Sequence, residues 1–296
     1  MSKTIIDKNE ISSIMKLKER RKAKNYILQT VMPTAILVMM GSICLFPFFW
    51  LISSSLKTAT EIFSLPPQLF PKVPQWVNYT NAFGAMPFLR YFRNSFILSL
   101  VPVVGQLFGS TMTAYSLARV PWKGSKYVFG AIVATMILPG QVTLIPIYVM
   151  MAKIHWTGTM LPLTALTFLG YPYFIFMLRQ FFKTVPNEIS ESARIDGAGE
   201  VRIYLRIMLP LVMPALAAVG ILQFQSAWND FQMPLIYLSK STLWPLAVGL
   251  YNFQQMHTWN WEMLMAACTI YVIPMLIVFM IGQKQFIKGI ATTGFK

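Results

Sequence analysis

Charge is the first thing this chain is short of. Asp, Glu, Lys and Arg make up 12% of its 296 residues, about half the roughly 25% of an ordinary soluble domain. Acid is scarcer still, with ten carboxylates against 25 basic groups. The two cysteines, Cys44 and Cys268, both sit in apolar segments without metal-ligand spacing; they read as small packing residues and say nothing about redox compartment. The two histidines, His155 and His257, fall between the long apolar segments and read as surface residues, not ligands. No Ser/His/Asp set and no metal cluster can be assembled. A G-x-x-x-x-G-K-S/T phosphate loop is also missing, because Gly124-Ser125-Lys126 lacks the upstream glycine spacing. The chain is therefore expected to be no enzyme and to carry no cofactor of its own.

What remains is apolar. Hydrophobic residues make up 55% of the chain, gathered in recurring segments of about 20, long enough to cross a hydrocarbon layer of roughly 30 Å. Spans fit at about 28–54, 94–118, 126–152, 160–182, 209–236 and 261–283. The expected fold class is an all-α polytopic membrane protein with six transmembrane helices. The first span follows a long basic tail and lacks a small-residue cleavage site, so it reads as a retained helix. Pro33 and Pro47 inside it are tolerable, because neighbours can satisfy the freed carbonyls. Pro139 and Pro146 should break the third span around Gly140-Gln141-Val142-Thr143, a polar patch expected to be sheltered by protein or to face water. Gly105 and Gly109 in the second span form a G-x-x-x-G, expected to serve close helix packing.

A net charge of +15 would suggest nucleic acid in a soluble protein. Here the preference of basic residues for the cytoplasmic side accounts for it, and no nucleic-acid partner is expected. With both termini inside, nineteen of the 25 basic residues fall in the inner segments, and inverting the topology would put them outside. Residues 1–25 are then a basic cytoplasmic tail and 26–296 the membrane domain. Residues 55–92, broken by Pro66, Pro67, Pro71, Pro74 and Pro87, form an external loop with short amphipathic pieces. Residues 183–208 lie in the cytoplasm between the fourth and fifth spans.

That inner loop contains Pro186–Pro210, the longest charge-rich run after the tail. Pro186 suits the first turn of a helix, where its missing N–H is no loss. Glu188 and Glu191 then favour the positive end of the helix dipole, and Gly197 can stop the helix in a left-handed conformation. A helix of about ten residues cannot persist alone in water, so it must dock on something. Ile189, Ala193 and Gly197 share one face at four-residue spacing, where small residues let another surface approach, with Glu188, Glu191 and Ser192 beside them. The alternative is an ordinary solvated loop in which Glu191 pairs with Arg194 at i, i+3.

The pattern E-S-A, three residues, Gly197, nine residues, Ile207-x-Leu209-Pro210 resembles the cytoplasmic coupling loop of ABC-importer permeases, with Ser192 where a second alanine is usual. Arg93-Asn94-Ser95, the S-A-W-N-D-F run with Met233-Pro234-Leu235, and Phe286-Ile287-x-Gly289 with Thr293-Gly294 are similar to the MalG-type permeases of carbohydrate importers. Phe295 departs from their commoner ending. The likeness covers most of residues 26–296 and is weakest in the tail and the external loops. It implies the type I importer permease fold in the cytoplasmic membrane, with the termini inside. It also implies a second permease subunit, two ATPase subunits holding ATP and Mg, and an extracellular sugar-binding protein. By the same resemblance Glu191, Ala193, Asp196, Gly197, Ile207, Leu209 and Pro210 are ATPase-coupling positions, and ATPase closure would draw the loop helices together and turn the pathway outward.

Candidates for lining the pathway follow from polarity inside apolar segments. Asp230 is the one acid expected within a span, where acids are costly and usually face a cavity or a partner. It follows Gln223, Gln225, Ser226, Trp228 and Asn229, a run offering the amides, carboxylate and aromatic ring that sugar recognition uses. Equally, Asn229 and Asp230 could lie near the outer mouth and fix helix packing. Gln141, Thr143 and Asn94 are weaker candidates. Competing readings are a permease for glycerol phosphate or another polar solute, a polytopic enzyme on a lipid-linked substrate, and an ion-coupled transporter with inverted repeats. The enzyme would need acids or histidines clustered at one interface; the transporter would need internal symmetry.

Overall fold

The computed structural model describes residues 26–256 and 260–293. The expected tail at 1–25, His257, Gly294 and Phe295 lie outside the described residues, as do the side chains of 284–293, which include Phe286 and Ile287. Among the described residues every regular element is helical. Four helices are long and apolar enough to cross a membrane, or up to six if each of two bent pairs is one span.

After a π turn at Ile27–Val31 comes α1 (Met32–Ser55), with Pro33 in its first turn and Pro47 inside it. It is apolar all round, which suits a lipid or protein environment and not water. Leu37, Ile43 and Leu45 are 69%, 65% and 66% exposed, so among the described residues nothing covers them. The loop beyond it is ordered by α2 (Ala59–Ile62) and α3 (Val77–Ala85). Its anchor is Lys57, fully buried, which donates to Gln68 O at 2.6 Å and lies 4.2 Å over the Trp50 ring. Burial pulls that ammonium below its ordinary pKa. The Asn78 amide stitches the same turn, donating to Ser55 O and Lys57 O.

The axis of the bundle is α4 (Phe88–Arg119), which at 32 residues is about 48 Å long. Small residues along one face let other segments close on it. Gly105 and Gly109 lie against the 3-10 turn Ala165–Leu169, where a Cβ on Gly109 would sit 2.7 Å from Phe168 C and 2.8 Å from Gly170 N. The G-x-x-x-G thus serves close packing, though its partner is a turn and not a helix.

The fourth expected span is not continuous. It runs as α7 (Leu161–Thr164), the 3-10 turn, Gly170 at φ +83°, then α8 (Pro172–Thr184). Broken backbone at membrane depth must find partners inside the protein. Here the Tyr171 N–H donates to Gln106 Oε1 at 2.8 Å and to Ser110 Oγ at 3.2 Å, and Ser110 Oγ donates to Gln106 Oε1 at 3.0 Å.

The third expected span consists of α5 (Ser125–Thr135) and α6 (Gly140–Lys153), bent by 103°. The bend falls just before Gly140, at Pro139. Pro146 lies within α6 and does not break it, so the expectation of a break there is corrected. The described residues do not shelter the Gly140–Thr143 patch: Gln141 is exposed and Thr143 half-buried.

The fifth expected span also needs correction. Its helical stretches are α10 (Glu200–Ile203), a π turn (Tyr204–Met208), α11 (Leu209–Leu211) and α12 (Met213–Trp228), with a bend of 79° before Met213. Helix ends at Trp228, not near 236. The chain then breaks and resumes as α13 (Gln232–Tyr237), so Asp230 lies in the break. Its carboxylate accepts the Met233 N–H, in the first turn of the new helix, at 3.1 Å. The last elements are α14 (Leu246–Met256) and α15 (Trp261–Thr293).

Two cores hold the bundle. One, around Ala114, Leu178, Phe182, Ile203 and Val219, joins α4, α8, α10 and α12. The other, around Ala82, Tyr91, Leu246, Ala266 and Ala267, joins α3, α4, α14 and α15 at the opposite end of α4.

Candidate functional site

Between α8 and α10, on the rim of the first core, runs α9 (Asn187–Ile195). Pro186 is its N-cap residue, one position before the first turn. At the other end Gly197 stands at φ +79°, its N–H donating to Arg194 O at 3.0 Å while the Ala198 N–H donates to Ala193 O at 2.9 Å. This is a Schellman ending, which favours glycine because a Cβ is strained at that φ. The Ser192 hydroxyl turns back on its own helix, donating to Glu188 O at 2.5 Å, so it is satisfied within α9.

The faces of α9 are distributed differently from the sequence expectation. Ser190 is 2% and Ala193 8% exposed, and Ala193 belongs to the first core. Ala193 therefore seats the helix on its own chain; it does not offer a bare face to another protein. The outward edge carries Glu188, Glu191, Ser192, Ile195, Asp196 and Gly197. Ile195 is 87% exposed, an apolar side chain at the tip of a polar helix.

The Glu191–Arg194 pair of the alternative reading does not form. Arg194 Nε donates to Glu200 Oε1 at 2.7 Å, Glu200 Oε2 accepts the Tyr115 hydroxyl at 2.7 Å, and Glu191 is left exposed. The hydrogen bond to Glu200 holds the Arg194 guanidinium above its ordinary pKa. Arg119 closes the other end of the helix, donating to Phe182 O, Val185 O and Asn187 Oδ1.

Further along, Ile207 and Leu209 are half-buried against the first core, and Pro210 is exposed just after the π turn. The proline carries no N–H for the helical ladder, and a π turn is a usual accommodation.

The polar run of α12 divides. Gln223, Ser226 and Asp230 meet Thr167 around a cleft of about 230 Å³, with Leu98 and Pro102 opposite. Gln225 and Asn229 are exposed on other sides, and Asn229 Oδ1 accepts from Tyr271 Oη at 3.2 Å. Trp228 is 1% exposed, stacked between Phe224 and Tyr271 at 5.5 and 5.6 Å, its indole N–H donating to Tyr271 O at 3.2 Å. It has no free ring face for a sugar. Asn94 is 1% exposed at the other end of α4 and donates to Thr242 O at 2.9 Å and Trp244 O at 3.1 Å, tying helix to loop. Gln141 and Thr143 are on α6, away from the cleft. Thr167, Gln106 and Ser110 were not singled out from sequence. The four-residue spacing of Gln106 and Ser110 on an apolar helix was the available signal.

A second groove of about 620 Å³ lies between α4, α12 and α15, lined by Leu100, Val103, Leu107, Leu216, Ile221 and Val278. It offers little to hydrogen-bond a polar solute.

Long apolar helices, with two bent pairs among them and one short polar helix docked on the rim, are the build of a polytopic membrane protein. Residues 105–292 match the binding-protein-dependent transport system inner membrane component family, and the chain belongs to it. It is thus a multi-pass protein of the cell membrane and a permease subunit of an ABC transporter. It is similar to the arabinooligosaccharides transport system permease protein AraQ of Bacillus subtilis (strain 168), 34% identical over 89% of this chain and 94% of that one. The inner membrane ABC transporter permease protein YcjP of Escherichia coli (strain K12) is 33% identical over 86% and 92%. The sulfoquinovosyl glycerol transport system permease protein SmoH of Agrobacterium fabrum (strain C58 / ATCC 33970) is 30% identical over 85% and 89%. A chain in the crystal structure of a bacterial ABC transporter involved in the import of the acidic polysaccharide alginate superposes with a TM-score of 0.78. It is 21% identical, with 88% of this chain and 98% of that chain covered. The fold is that of type I ABC importer permeases.

Proposed function

We propose that this chain is one permease subunit of an ATP-driven importer, forming half of a pathway for a sugar, most readily an oligosaccharide, with a second permease subunit. In this reading six spans cross the membrane with both termini inside, α9 faces the cytoplasm, and an extracellular binding protein delivers the solute. ATP and Mg are held by two separate ATPase subunits. Relatives named for arabinooligosaccharides and for sulfoquinovosyl glycerol support a glycoside as solute. They do not favour glycerol phosphate or a membrane enzyme.

The observation that carries the coupling role is α9 itself. It is nine residues long, too short to persist alone in water, and only its inner edge is buried by its own chain. Its outward edge, with Glu191, Ile195, Asp196 and Gly197, is free to seat in a cleft of an ATPase. Closure of an ATPase dimer on ATP would then draw this helix toward its counterpart, and the bundle would pass between discrete packed arrangements. Ala193, Ile207 and Leu209 act from beneath by seating the helix. Gln223, Ser226 and Asp230 are the pathway residues this arrangement supports, ahead of Gln225, Asn229, Gln141 and Thr143.

The test is affinity isolation of the tagged chain from its own membranes, alongside uptake of labelled arabino-oligosaccharide by intact cells. Glu191→Ala and Asp196→Ala should cut co-isolated ATPase and uptake by about tenfold, corresponding to about 1.4 kcal/mol, while the chain still reaches the membrane. Unaltered assembly and uptake in both variants would sink the coupling role.

A further inference from the structure

The backbone of α9 makes few close approaches to other helices. Side chains must therefore carry whatever force passes between it and the bundle. The link from α8 is only Val185 and Pro186, both in extended conformation at ψ 132° and 141°. No helical ladder stiffens it, so by itself it is a place where α9 could swing.

Two side-chain joints span that place. The C-terminal one is Arg194–Glu200 with Tyr115, but the ion pair is 36% and 41% exposed, and pairs so open to solvent hold weakly. The N-terminal joint is a single residue on the last turn of α4. Arg119 donates through Nε to Phe182 O at 2.8 Å, through Nη2 to Phe182 O at 2.5 Å and to Val185 O, and through Nη1 to Asn187 Oδ1. These acceptors lie on the end of α8, the link and the first turn of α9. Phe182 O belongs to the last turn of α8, where carbonyls lack helical partners and the helix dipole favours a cation. The Arg119 carbonyl in turn faces Arg194 Nη2 at 3.5 Å, bringing the two joints together.

We propose that Arg119 is the positioning residue that makes α9 and the end of α4 one rigid body, so that a stroke on α9 enters the longest helix of the bundle instead of being absorbed in the Val185–Pro186 link. The inference rests on the coupling role of α9 and adds the residue through which motion passes. A lysine cannot replace it, because one ammonium lacks the flat fork that reaches three segments at once.

The test uses the full complex isolated through this chain with its co-purifying ATPase. Spin labels are placed at Ile189→Cys, an exposed position on α9 away from the edge that meets the ATPase, and at the exposed Leu89→Cys at the far end of α4, in a Cys44→Ser, Cys268→Ser background. Pulsed electron resonance reads the distance without nucleotide and after trapping with ATP and vanadate. With Arg119 present, one narrow distance should persist in both states. In Arg119→Ala and Arg119→Lys the ATPase should still co-isolate, but the distance should broaden or shift by about 5 Å, one helical turn, on trapping. Should Arg119→Ala fail to accumulate, Arg119→Lys decides alone. A shift of that size with Arg119 intact, or a narrow unchanging distance in Arg119→Lys, overturns the proposal. Absence of any ATPase from the parent complex refutes the coupling role, and this inference falls with it.

Discussion

Adding one methyl group at Gly109 should loosen the whole bundle, and the same change at Gly130 should not. A Cβ on Gly109 would stand 2.7 Å from Phe168 C, 2.8 Å from Gly170 N, and closer still to Phe168 O. A relaxed contact needs about 3.5 Å, so the turn must retreat by more than about 1 Å to clear the Phe168 carbonyl. All three obstacles are backbone, and the turn is held by the Tyr171 N–H bonds to Gln106 and Ser110. Overpacking of this kind costs about 1–3 kcal/mol, with rigid backbone obstacles placing it at the top of that range. The helix-propensity gain of alanine over glycine returns about 1 kcal/mol. The net loss is about 2 kcal/mol, roughly 30-fold in the folded-to-unfolded ratio. At about 2–4 °C per kcal/mol the midpoint should fall by about 4–8 °C. Gly130 lies in α5 with nothing within 4 Å of its Cβ position, so Gly130→Ala should leave the midpoint level or raise it slightly. The assay is thermal unfolding of each purified variant in detergent, read by size-exclusion fluorescence. Equal midpoints for the two alanine variants would refute the argument that Gly109 is needed for close approach.

Gly197→Ala places a Cβ at φ +79° in open space, so its cost is the left-handed backbone alone, about 1–2 kcal/mol; hydrogen exchange should speed in α9 and not in α4. Asn94→Ala removes two hydrogen bonds from a residue 1% exposed and leaves Thr242 O and Trp244 O unpaired, which should destabilise by about 1–3 kcal/mol in the same thermal assay. Glu61 caps its turn by accepting the Thr58 and Lys72 N–H groups, and those backbone hydrogen bonds, Thr58 first, hold its carboxyl below the ordinary pKa. A depressed folded pKa gives stability that is present above the unfolded value and lost as pH falls through the folded one. Protection of the Thr58 and Lys72 amides, corrected for intrinsic exchange, should therefore fall on acidification, and in Glu61→Gln it should be low and level across the same range.

Much of the bundle was legible from composition, because a run of about 20 apolar residues has few physical options outside a membrane or a large core. The spans near 28–54, 94–118 and 261–283 correspond to α1, α4 and α15 within a few residues at most ends. Breaks were harder to see. Pro139 marked a real bend, yet Pro146 looked the same in sequence and broke nothing. The break at Gly170 had no proline inside the turn, and it depended on Gln106, Ser110 and two glycines some sixty residues earlier in the chain.

The Pro186–Pro210 loop shows the same division. Local chemistry determined that a short helix would start after Pro186 and end at Gly197, since N-terminal proline and left-handed glycine act within a turn of their own positions. Which of its faces is buried, and whom Arg194 meets, only the tertiary structure decided. Ala193 could have served a partner protein, but it is buried as a member of the first core. Glu191 was the near neighbour of Arg194 along the helix, but the Schellman turn brings Glu200 back to 2.7 Å, with Tyr115 behind it. Side-chain pairing follows distance in space: the turn after α9 sets it for Arg194 and Glu200, and the packing of α4, far away in the chain, brings Tyr115 to the same carboxylate.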